Sequence, residues 1–67
     1  MKLSYDASTD SLYIDLNERP SVDSDEIAPG VVIDFDEDGN VVGIDFQHAS
    51  KLLDLSKLEA TSLPIAG

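Results

Sequence analysis

The stretch from Val31 to Phe46 constrains this chain more than any other, because apolar and polar side chains alternate on both sides of a turn-forming centre, Glu37-Asp38-Gly39-Asn40. Val31, Ile33 and Phe35 fall on one side of an extended strand and Val42, Ile44 and Phe46 on one side of the next, with Asp34, Asp36, Gly43 and Asp45 between them. Alternation of period two marks a half-buried strand, and an Asp-Gly pair supplies the positive φ of a tight hairpin turn. A two-residue Asp38-Gly39 turn or a four-residue 37–40 loop sets Phe35 opposite Val42, Ile33 opposite Ile44 and Val31 opposite Phe46. A three-residue loop slips the pairing by one and mixes the faces, which makes it the less favourable choice.

A second hairpin is predicted upstream. Leu3 and Tyr5 precede the polar interval Ala7-Ser8-Thr9-Asp10, and Leu12, Ile14 and Leu16 follow it. A four-residue loop pairs Asp6 with Ser11, Tyr5 with Leu12 and Leu3 with Ile14, so that the apolar residues share a face. Asp6 and Asp10 flank that turn, where short carboxylates accept backbone amides. Asn17 to Asp25 is polar, contains Pro20, and reads as the longest and most mobile connection. Pro29-Gly30 then reads as a kink at the start of the third strand, or as an edge.

After Phe46 the spacing changes: Leu52, Leu55 and Leu58 recur at helical intervals, with Ser50 as the candidate N-cap. The stretch 50–60 is one helix or, because Ser56-Lys57-Leu58-Glu59 resembles a second capping box, two short turns. Residues 61–67 form a tail in which Leu63-Pro64-Ile65-Ala66-Gly67 docks or frays. The expected fold is therefore α+β, one domain over residues 1–67: a small antiparallel β-meander of about four strands in two hairpins, with a short C-terminal helix packed on one face.

Composition narrows what such a domain does. With 67 residues the core is small, and no cysteine and a single histidine, His48, are present to staple it, so oligomerisation, such as a homodimer, or a bound protein is the expected source of added stability. Fourteen acidic residues against four Lys and Arg give a formal charge of -10. Such a surface repels a phosphate backbone and excludes direct nucleic-acid binding, while it attracts a basic protein. The N-terminal sequence lacks the apolar run of a signal peptide, no stretch approaches a membrane span, and the absence of cysteine fits a reducing compartment, so a cytoplasmic protein is expected.

Three groups of residues are candidates for chemistry. Asp34, Asp36 and Asp38 before Gly39 match the opening of a calcium loop, with Asp45 at the twelfth position, and strand alternation puts Asp34 and Asp36 on one side. This makes Asp34, Asp36, Asp38 and Asp45 the candidate cation site, although helices flank such loops and strands flank this one. His48 has no serine or cysteine nucleophile marked by spacing and reads as a cap or packing residue, so no catalytic residue is assigned and no enzyme is expected. Tyr13 and Asp15 lie opposite the apolar face, and with Glu26, Asp34 and Asp45 they are the expected partner contacts.

Tyr5-Asp6, Asp10, Leu12-Tyr13-Ile14, Gly30-Val31-Val32-Ile33-Asp34-Phe35-Asp36 with Gly39, and Val42-Gly43-Ile44-Asp45 leading to Ala49-Ser50 together resemble the bacterial family called domain of unknown function 2283. The resemblance covers residues 3 to about 53, with Asp45 where the family pattern has glutamate. It implies a β-rich domain with a C-terminal helical segment, no cofactor and no established activity. Because members are sometimes encoded beside toxin-like proteins, it also implies an antitoxin-like or accessory role with a basic toxin-like protein as partner.

Overall fold

The computed structural model describes residues 1–64, so the Ile65-Ala66-Gly67 end of the predicted tail lies outside the described residues. Among the described residues five strands, β1 (Lys2–Asp6), β2 (Ser11–Asp15), β3 (Asp23–Ala28), β4 (Val31–Phe35) and β5 (Val41–Phe46), form one antiparallel sheet, and a single short helix, α1 (Ala49–Leu52), follows. The strand order is β1-β2-β5-β4-β3.

The first hairpin has the predicted register, with Asp6 paired to Ser11, Tyr5 to Leu12 and Leu3 to Ile14. The Asp6 carboxylate accepts the Ser8 amide (3.0 Å) and hydroxyl (2.7 Å), which fixes the turn. The second hairpin corrects the sequence expectation. The Gly39 amide donates to the Asp36 carbonyl (3.0 Å), the Asp36 amide to the Asn40 carbonyl (2.9 Å), and Gly39 has φ 82°. Those bonds describe the three-residue loop that alternation disfavours, a β-turn followed by a left-handed glycine. Its one-residue slip is cancelled at once: Phe35 pairs with Val41 instead of Val42, and beyond a bulge Asp34 faces Gly43, Ile33 faces Ile44 and Val31 faces Phe46. Val42, the extra residue, is buried.

Five strands stand where about four were expected because Asp23–Ala28 is strand and not connection. Pro29-Gly30, expected to kink the start of the third strand, is instead the tight turn between β3 and β4: Ala28 pairs with Val31, and Gly30 takes φ 79°, the pattern of a turn with proline first and glycine second. The two hairpins are joined by β2 and β5, with Leu12 opposite Phe46 and Ile14 opposite Ile44. Since β5 occupies the free side of β2, residues 16–22 must carry the chain about 14 Å sideways, three strand spacings, to reach the far edge. They are fastened along the way. Leu16 donates its amide to the Val42 carbonyl (2.9 Å), Asn17 its side chain to the Val41 carbonyl (3.3 Å), Arg19 its guanidinium to Asp36 (3.0 Å), and Val22 its amide to the Phe35 carbonyl (2.9 Å).

By this register Leu3, Ile14, Ile44 and Ile33 form one apolar row and Tyr5, Leu12, Phe46 and Val31 another on the same face. The expected helix over 50–60 is reduced to Ala49–Leu52, with His48 and not Ser50 as the N-cap residue. A separate turn follows, in which Asp54 accepts the Ser56 amide (3.1 Å) and hydroxyl. Leu53, Leu55 and Leu58 then border an open groove of ≈ 770 Å³ against Leu3, Leu12 and Ile14. Among the described residues the buried apolar side chains are Leu12, Val42 and Ala49, which is a small core for a five-stranded sheet.

Candidate functional site

The face opposite the apolar rows carries the polar partners of every strand. One row runs Ser4, Tyr13, Asp45, Val32, Glu26, and the next Lys2, Asp15, Gly43, Asp34, Ser24. All five residues expected from sequence as partner contacts, Tyr13, Asp15, Glu26, Asp34 and Asp45, therefore sit on one side of the sheet, because alternation fixes the side and the antiparallel registers align the strands. Tyr13 organises this face. Its ring lies across β5 over Gly43, and its hydroxyl donates to Asp34 Oδ2 on β4 (2.9 Å), while the Ser24 hydroxyl on β3 donates to Asp34 Oδ1 (2.7 Å).

Gly43 makes that crossing sterically feasible. A Cβ at this position would lie 1.9 Å from the Tyr13 hydroxyl oxygen and 2.5 Å from Cζ, so the bare backbone is the floor on which the ring rests. Burial, then the bond to Asp34 and the nearby charges of Asp34, Asp15 and Asp45, push the Tyr13 hydroxyl up to about 12. The hydroxyl consequently stays protonated and remains a donor throughout the neutral range.

The acidic hairpin loop is arranged differently from the cation site expected of it. Asp36 lies past the end of β4, and its buried carboxylate accepts the Asp38 amide (3.0 Å) and the Asn40 amide (2.9 Å) on Oδ1 and Arg19 on Oδ2 (3.0 Å). These donors, the Asn40 amide foremost, hold its carboxyl below the usual carboxylate range. Asp34 and Asp36 thus belong to separate hydrogen-bond sets. Among the described residues no three acidic, histidine or cysteine side chains come together to hold a metal ion, and Asp34, Asp36, Asp38 and Asp45 are not gathered into one.

His48 is exposed, in the left-handed region at φ 52°, and its side chain makes no capping bond. The cap is supplied from forty residues away. Asp10, also left-handed, accepts the Ser50 hydroxyl (2.6 Å) and amide (3.1 Å) on its carboxylate, and its carbonyl accepts the Ala49 amide (2.8 Å). Tyr5 donates to the same carboxylate (2.7 Å). The Ser50 and Tyr5 hydroxyls keep the Asp10 carboxyl below its ordinary range, and the bond to Asp10 raises the Tyr5 hydroxyl above its own.

With these contacts in place, the residues behind the family resemblance acquire physical roles. Tyr5, Asp10, Ala49 and Ser50 join the first turn to the helix; Tyr13, Asp34 and Gly43 close the polar face; Asp36 and Gly39 build the loop. The family model described as protein of unknown function, DUF2283, matches residues 2–50. The chain belongs to the DUF2283 family. It is 37% identical over 62 residues to the uncharacterized protein MJ0789 of Methanocaldococcus jannaschii, an alignment that covers 88% of this chain and 50% of that protein. The chain thus spans about half the length of this curated relative. No solved structure matches it.

Sequence reasoning singled out Tyr13, Asp34 and Asp45 without seeing the bond between Tyr13 and Asp34. The signal was Gly43: a glycine in the interior of a strand marks a close approach, here by a ring from the neighbouring strand. Arg19 was missed as the partner of Asp36, since a bond between a connection and a turn leaves no periodic trace.

Proposed function

We propose that this domain is a non-enzymatic protein-interaction module that presents its acidic sheet face to a basic partner protein, of which an antitoxin-like role is the narrower form. The observation that supports this reading is the alignment of Asp15, Asp45, Asp34 and Glu26 on one face of the sheet, in a chain of net charge -10. A face carrying several carboxylates on two adjacent rows steers a cationic surface and favours one orientation of it. The bonds from Tyr13 and Ser24 hold the Asp34 carboxylate in place, so less of that side chain's entropy is lost on binding. The shifted carboxylates Asp6, Asp10, Asp36 and Asp54 are all engaged with amide or hydroxyl donors of turns and caps, which supports a structural rather than a catalytic use.

The test is capture from native-host lysate at physiological salt, with the wild type beside an Asp15→Asn/Glu26→Gln/Asp45→Asn variant. A basic protein retained by the wild type, lost by the variant and released by added salt is the expected result. Recovery of the chain alone, or of a complex indifferent to both changes, would overturn the reading.

A further inference from the structure

The apolar face has an occupant of its own to account for, independent of any basic partner. The chain exposes 5186 Å². A compact monomer of its 7.2 kDa mass exposes about 4,100 Å², so roughly 1,000 Å² of surface is left open beyond the expectation. Much apolar surface borders the groove beside β1 and β2: Leu3 is 45% exposed, Leu55 40% and Leu58 79%, around Leu12 and Ile14. No large side chain among the described residues is fully enclosed. A sheet of this size normally covers its apolar rows with a second layer, and the four-residue helix with the 53–58 segment covers them only in part, leaving the groove open.

We infer that a second copy of this chain supplies that layer, the two apolar faces packing against each other across a two-fold axis with both acidic faces turned outward. Three observations select this occupant. The excess over a compact monomer, roughly 1,000 Å² summed over the whole chain, is large enough to include the ~800 Å² that each partner buries in a standard stable interface. The groove is bordered by one carboxylate, Asp54, and one cation, Lys57, with otherwise apolar or hydroxyl side chains, so a basic partner gains no charge complementarity from it and is drawn to the opposite face. A copy of the same surface brings an equally neutral, apolar row, which is what an isologous contact requires. Face-to-face sheets stack about 10 Å apart, beyond the ~8 Å screening length at physiological salt, and this limits the repulsion between two outward acidic faces.

The salt dependence separates this inference from the proposal above. Apolar association of two like-charged chains tightens as salt rises, whereas capture of a basic partner weakens. Sedimentation equilibrium of the full chain, from about 1 to about 100 µM and from about 50 to about 500 mM sodium chloride, is expected to show a reversible dimer that tightens with salt. Leu3→Glu is expected to raise the dimer dissociation constant at least about tenfold, about 1.4 kcal/mol or more. Should that variant fail to fold, Leu55→Glu, beyond the sheet and the helix, is expected to do the same. A monomer throughout the range would overturn the inference, and so would a dimer indifferent to a folded variant, since it would form through another surface.

Discussion

The two faces of the sheet are finished to different degrees. On the acidic face a tyrosine ring crosses over a glycine, and one carboxylate takes a hydroxyl on each oxygen, tying β2, β4 and β3 together. On the apolar face the rows from Leu3 to Ile33 and from Tyr5 to Val31 are correctly aligned, yet the groove beside β1 and β2 stays open. Directional bonds close a surface locally with one or two partners, while apolar area is stabilised only by a whole covering layer. A chain of this length completes the first kind of closure more readily than the second.

The contrast can be broken most severely at Gly43. Gly43→Ala puts a methyl where the Tyr13 ring lies and is expected to cost about 2 kcal/mol, a fall in Tm of roughly 10 °C for a domain this small. Thermal melts check it. Tyr13→Phe in the same background is expected to restore nothing, because ring carbon Cζ clashes too, whereas Tyr13→Ser is expected to recover part of the loss. Equal melts for Gly43→Ala and the wild type would show that the ring is not seated there.

Alkaline titration sharpens the comparison further. The folded Tyr13 hydroxyl titrates at about 12, above its unfolded value near 10, so the native state holds this proton more tightly. Its contribution to stability is fully present below pH 10 and is lost as the pH rises towards 12. In a Tyr5→Phe background, which removes the other raised tyrosine hydroxyl, tyrosinate absorbance is expected to show one late transition that shifts downward in Asp34→Asn; an unchanged transition would detach Tyr13 from Asp34. The smallest effect belongs to Ser24→Ala, which leaves Tyr13 on Asp34 and exposes the freed oxygen at the sheet edge to water. A loss of about 0.5 kcal/mol by chemical denaturation is expected, and a loss as large as that of Gly43→Ala would make Ser24 the principal anchor of this face.

The registers of the two hairpins were legible because alternation and turn residues lie within a few positions of each other. Even there the second hairpin took the loop that the pattern disfavoured. A single bulge at Val42 restored the faces, a remedy that alternation does not announce. Strand β3 was illegible for a different reason. Asp23-Ser24-Asp25-Glu26 has no apolar alternation, and edge strands carry charge that discourages further pairing. Its strand conformation comes from the Pro29-Gly30 turn, which folds the chain back onto the open side of β4.

The candidate site was legible in part. Tyr13, Asp15, Glu26, Asp34 and Asp45 could be assigned to a face by parity once each strand was known, but Glu26 needed β3. The cation reading of the hairpin followed a spacing borrowed from a different backbone. In the folded loop the same carboxylate spacing serves amides and an arginine, since Asp36 turns inward where the strand ends.

By itself the sequence determined an acidic chain, a family pattern, and two hairpins with most of their apolar pairs, and those hairpins rest on interactions between residues near one another in the chain. Tertiary structure alone decided that β2 meets β5, that Tyr13 reaches Asp34 across Gly43, and that Asp10 caps a helix forty residues later. Those bonds depend on which strand edges and turns meet in space, and many distant pairings are compatible with the same local pattern until packing selects one.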